Sequence, residues 1–151
     1  MQRIPHACRF AVLLAAVVPF VPTPMGAHHA FFAEFDGDAP VHLQGRVSKV
    51  EWINPHAWIH LEVVEEGGQV VTWMVEGGTP NTLLRRGFDK NSLVIGTEIL
   101  VRGYQAKDKS CKPACKANGR DVTFPDGRKL FLGSSGTGAP RDGADPVERP
   151  R

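Results

Sequence analysis

From Val41 the chain alternates, with Val41, Leu43, Gly45 and Val47 on one parity and His42, Gln44 and Arg46 on the other. That period of two marks a half-buried strand and predicts one over Val41–Trp52. Val47 and Val50 have opposite parity, so a bulge is expected near Ser48-Lys49. Asn54-Pro55 signals a turn. A second strand is predicted over Ala57–Val64, with Ile59, Leu61 and Val63 toward a core and Trp58, His60 and Glu62 away from it. Glu66-Gly67-Gly68 supplies a hairpin turn into a third strand, Val70–Glu76. Thr79 reads as a helix N-cap, Pro80 as the first helical position and Gly87 as the residue past the end. The pattern thus predicts a short helix, Asn81–Arg86, contributing Leu83 and Leu84 to the core. A fourth strand follows over Glu98–Tyr104. A last hairpin joins Gly119–Phe124 to Lys129–Leu132 across Pro125-Asp126-Gly127.

Three strands, a short helix and then further strands is the order of a small five-stranded OB-like barrel, mainly β, with one helix between strands 3 and 4. A different small barrel or a sandwich is the alternative architecture. Ahead of the strands, HHAFFAEFDGD reads as an aromatic-acidic lead-in ending in a glycine-centred turn. Earlier still, Arg3 and Arg9 precede an apolar run, Phe10–Val21, and then the small residues Gly26 and Ala27. This is the layout of a secretory signal peptide, and the run is shorter than the ~20 residues a spanning helix needs. The expected organisation is a signal peptide over 1–27, a single β-barrel domain over 28–132 and a flexible tail over 133–151. The processed chain is expected in the periplasm or outside the cell, with no membrane span.

The leader carries two of the 18 basic residues and none of the 16 acidic ones, so the remainder balances to a formal net charge of zero. That argues against nucleic acid, which needs a basic surplus on one face. Cys8 leaves with the leader, and export places Cys111 and Cys115 where disulfides persist. The pair is read as a disulfide clip on an exposed loop. The competing reading is a dithiol for a soft metal.

Four histidines fall within two words, His28-His29 and then His56 and His60. Imidazole is a ligand for Zn, Cu and Ni, and cleavage after Ala27 would add the free α-amine of His28. Copper is the cofactor this arrangement would suit. Cleavage after Gly26 would instead place His28 second and His29 third, also a square Cu(II) pattern. Against this, His56 can serve a turn, His60 a surface and the pair His28-His29 a solvated end.

Trp52, Trp58 and Trp73 sit on the first three strands, with Glu51, Glu76 and Arg85-Arg86 nearby in sequence. Aromatics with a few convergent polar groups make ligand clefts and partner surfaces, although a tryptophan in a small barrel is commonly core. The expected ligand-binding set is Trp58, His56, His60, Trp52, Glu76 and Arg85, and the partner a periplasmic protein or a small molecule. Nucleophile elbows, zinc-protease words and phosphate loops are missing from the sequence. Glu51 and Glu76 would act as acid and base only if the fold brought them together. A non-enzymatic binding module is therefore expected, with a periplasmic copper-binding protein using the His28 amino terminus as the alternative.

The words HHAFFAEFD, VEWINPHAWIHL, TPNTLLRRG and VTFPDGRKLFLGSSGTGAP occur together in this chain. On them the mature sequence resembles a family of small secreted bacterial proteins catalogued as domain of unknown function 6152. The resemblance implies no activity, cofactor or catalytic residue, and the cysteine pair lies outside its pattern.

Overall fold

The long first strand begins earlier than the alternation predicts. In the computed structural model, which describes residues 28–133, it runs from Phe35 to Glu51 (β1). The predicted leader, and the predicted tail beyond Gly133, lie outside the described residues. The lead-in does not turn at Gly37. Its first part is a helix, His28–Glu34 (α1), and the chain then passes directly into β1. Phe31 on the helix and Phe35 at the start of β1 meet in one small apolar cluster. Seven residues are too few to hold a helix alone, so packing must hold it. Phe31 and Phe35 are buried against Tyr104 and Ala106, with the Phe31 and Tyr104 rings edge to face at 5.6 Å.

The remaining elements are β2 (Trp58–Val64), β3 (Val70–Glu76), α2 (Pro80–Arg85), β4 (Glu98–Ala106), β5 (Cys115–Thr123) and β6 (Lys129–Phe131). The protein is mainly β, one six-stranded sheet ordered β3-β2-β1-β4-β5-β6 with an additional parallel pairing of β3 with β5. The bulge expected at Ser48-Lys49 is present: the β1–β2 register shifts between Val47 and Lys49, and Ser48 Oγ donates to the His60 carbonyl at 3.3 Å. The bend divides the work of β1. Pro40–Arg46 pairs with β4, whereas Arg46–Glu51 pairs with β2.

Parity on β1 and β2 follows the pattern. Leu43, Val47, Ile59 and Leu61 are buried in the main core with Trp73, Val75, Val101 and Val122, while Val63 at the hairpin end is half-buried. Thr79 caps α2, its side chain accepting from the Thr82 amide, and Gly87 takes φ 79° just beyond the helix. Such a cap contributes about 1 kcal/mol. The expectation for Leu84 is corrected: Leu83 is core, but Leu84 is half exposed, because a helix of six residues presents only one side to the sheet.

The larger correction is β5, which starts at Cys115 rather than Gly119. Cys115-Lys116-Ala117-Asn118 lacks the branched and aromatic residues that mark strands. It is extended because it lies between β3 and β4. There Gly103 faces Gly119, and a Cβ on Gly103 would lie 2.1 Å from the Asn118 carbonyl oxygen. Only glycine permits that approach of β4 to β5.

Candidate functional site

Residues paired across strands share a sheet face. Two rows on the face away from the core follow from the register. One is Glu51, Trp58, Glu76 and Asn118; the other is Lys49, His60, Met74 and Lys116. Between them the intervening residues Val50, Ile59, Val75 and Ala117 face the core. The outer face of β2, β3 and the start of β5 is therefore aromatic and charged by construction. Tyr104 continues the first row beyond Asn118 and carries α1, so the helix borders this face.

The loop between β1 and β2 closes the other side. Ala57 N donates to the Gly78 carbonyl at 3.1 Å, and Gly77 N donates to the Ala57 carbonyl at 2.8 Å. These bonds fasten the residue after His56 to the segment after Glu76, and His56 Nδ1 contacts Glu76 Oε1. Glu76 is only 5 % exposed. Burial, reinforced by the Glu34 carboxylate at the end of α1 and opposed by Lys116, pushes Glu76 up to about 7. Burial also lowers the His56 imidazole, against the pull of Glu34. Both groups are thus driven toward their neutral forms. In those forms a protonated carboxyl can donate to an unprotonated imidazole nitrogen across the contact.

Trp58 is half-buried beside this pair, with Lys116 Nζ 6.0 Å from its ring centroid. Lys116 also pairs with Glu34 at 3.4 Å, an exposed contact worth no more than about 1 kcal/mol. On the far side of Trp58, Glu51 contacts Lys49, whose hydrogen bond holds its carboxyl below the usual range. His60 Nε2 is shielded from water and faces Glu51 at 3.6 Å, beyond hydrogen-bond reach.

Of the expected ligand-binding residues, the fold brings His56, Trp58, His60 and Glu76 to one face. Trp52 is placed differently: its ring stacks on Phe88 at 6.0 Å, packed against the main core. Arg85 reaches back along its own helix to Thr82 Oγ1 at 3.4 Å. Trp73 is core. Glu51 and Glu76 are not brought together, since Trp58 lies between them in the register and each faces its own histidine. His28 and His29 open α1, but their side chains lie outside the described part of the structure. Among the described residues no group of three or more His, Cys, Asp or Glu side chains converges to hold a metal. Cys111 and Cys115 are joined by a disulfide that closes the loop ahead of β5.

Glu34, Lys116 and Asn118 are the residues that strand patterns miss. Glu34 ends α1, a helix held by the packing of Phe31 on Tyr104. Nothing local in the sequence signals the parallel pairing of β3 with β5 that brings Lys116 and Asn118 beside Met74 and Glu76. Two open clefts, of about 350 and 340 Å³, lie elsewhere, on either side of the hydrogen bond from Gln44 to Glu98. The second is lined in part by Glu62, which shares the outer side of β2 with Trp58 and His60, but His56, Trp58, His60 and Glu76 line neither. The buried Asp121 is matched by Arg102, whose Nε donates to both carboxylate oxygens at 3.0 and 2.9 Å.

A model of a family of unknown function, DUF6152, matches residues 17–114. No curated protein and no solved structure matches the chain.

Proposed function

This chain belongs to DUF6152, a family of unknown function, and from that starting point we propose that it is an exported, non-enzymatic binding module. Its ligand would be a small molecule or a periplasmic partner, taken on the outer face of β2, β3 and β5. The export part rests on the leader pattern over residues 1–27. The cycle of pairings β1–β2–β3–β5–β4–β1 supports a small closed barrel of the OB type. In such barrels ligands bind on the face of strands 2 and 3, between the loops following strands 1 and 4. Here those loops are residues 52–57, which carry His56, and 107–114, which end just before Lys116. Fold analogy alone carries no function. The observation that carries the reading is the Glu76 carboxyl, buried on a strand face and met by a histidine beside a half-exposed tryptophan. Burying a carboxyl is unfavourable, and an apolar residue would serve a purely structural face better.

A recognition role fits better than catalysis. Glu51 and Glu76 are two strand spacings apart, roughly 10 Å between backbones, and each is engaged by other side chains. A panel of small metabolites titrated into the isotope-labelled processed protein tests this. Binding should shift the Trp58 indole and residues 56, 76 and 116, and Trp58→Ala should abolish it. Hits gathering around Gln44 and Glu98 instead would overturn the site.

The copper reading draws on one further fact. The helix that starts at His28 ends at Glu34, which acts electrostatically on both His56 and Glu76. If a terminal amine at His28 is a ligand, Cu(II) should bind the processed protein at least about tenfold more tightly than a form with one extra amino-terminal residue. Equal affinity would sink that reading.

A further inference from the structure

Three features of the His56–Trp58–Glu76 face constrain the chemistry of what it takes. Trp58 is half-buried on the sheet and offers part of an aromatic ring at the surface. Beside the ring, the His56–Glu76 pair presents a proton donor and acceptors within one contact, a match for adjacent hydroxyl groups.

The third feature is the charge on the neighbouring loop. Lys107 is spent on α1, donating to the Phe32 carbonyl at 2.5 Å, and Asp108 is turned onto the Ser110 amide. Lys109 and Lys112 are exposed and make no ion pair among the described residues. The disulfide ties this loop to the start of β5, where Lys116 stands over Trp58. Lys116 is held there by its exposed 3.4 Å pairing with Glu34 and its approach to the Trp58 ring.

We propose that this face binds an acidic oligosaccharide, with one sugar ring stacked on Trp58, its hydroxyls on His56 and Glu76, and its carboxylate on Lys116. The proposal rests on the reading of this face as the binding site. Lys112 and Lys109 would meet the charges of neighbouring sugar units. Flat apolar sugar faces stack on aromatic rings, and a uronic acid repeats its carboxylate from unit to unit. A neutral glycan would leave the lysines unused.

Tetragalacturonate and uncharged cellotetraose, titrated into the processed protein with the Trp58 indole followed by NMR, provide the test. Tetragalacturonate should shift the Trp58 indole, and Lys116→Ala should weaken it about tenfold. Lys116→Arg should retain binding within about threefold, and raising the salt concentration should weaken binding to the unaltered protein. Lys116 is exposed, so neither substitution threatens the fold. Cellotetraose binding as tightly as tetragalacturonate would overturn the acidic specificity while leaving the site in place. Tetragalacturonate perturbing only the lysine loop, with Trp58 unmoved, would overturn the stacking geometry and the proposal with it. No response to either sugar would likewise overturn it. The site itself is judged separately by the metabolite panel.

Discussion

Leu61→Ala is expected to lower the unfolding free energy by about 2–5 kcal/mol. Leu61 is completely buried at the centre of β2, paired with Val47 on one side and Trp73 on the other, both core residues. Truncation removes three carbons from a close-packed interior, and the strands on both sides are held by their ladders and cannot collapse into the gap. The neighbouring His60 points to the opposite face and makes no hydrogen bond through its buried Nε2 among the described residues. His60→Ala should therefore change stability by no more than about 1 kcal/mol. Urea unfolding midpoints for the two variants decide the matter. If His60→Ala is the more damaging, the assignment of inner and outer faces on β2 is reversed, and the proposed binding face fails with it.

The second large effect concerns pH. Glu76 keeps its proton up to about pH 7 in the fold, whereas its ordinary value is 4.5. Between those values the folded protein binds more protons than the unfolded chain. The contribution of Glu76 is therefore fully present below about pH 4.5 and is lost as the pH rises through 7. A shift of that size corresponds to roughly 3 kcal/mol. His56 works in the opposite sense. Its value is lowered below 6.5 by burial, so its contribution is present above 6.5 and fades as the pH falls through its folded value. Glu76→Gln keeps the shape and a hydrogen-bonding group but removes the titration. Unfolding free energies measured between pH 4.5 and 8 should show the native protein losing about 3 kcal/mol relative to this variant. Parallel curves would mean that Glu76 carries no proton at neutral pH, and that the contact with His56 is an ion pair.

Period and punctuation were enough to read most of the strands. The alternation Val41–Val47, the parity slip at Ser48-Lys49, the hairpin glycines Gly67-Gly68 and the Thr79-Pro80 cap each report a local constraint: which side of a strand is wet, where φ must be positive, which amide needs a partner. Trp58 and His60 were placed on the outer face by parity alone, and His56 was a candidate because of its chemistry. The family resemblance, carried by short words along the same chain, is a local property of the same kind, and the family match over residues 17–114 agrees with it.

What parity cannot reveal is which strands become neighbours. Trp52 shared the aromatic signal of Trp58, but its ring settled on Phe88, a contact made across the chain beyond α2. Cys115–Asn118 has no strand signature and is extended because β3 and β4 flank it. α1 is a helix because Tyr104 on β4 receives Phe31 and Phe35. These pairings of distant segments brought Glu34, Lys116 and Asn118 beside Glu76 and buried its carboxyl. The sequence by itself determined which residues face inward or outward, because that depends on each strand's own alternation. The tertiary structure alone decided which outward residues meet, because that depends on the order in which strands pair.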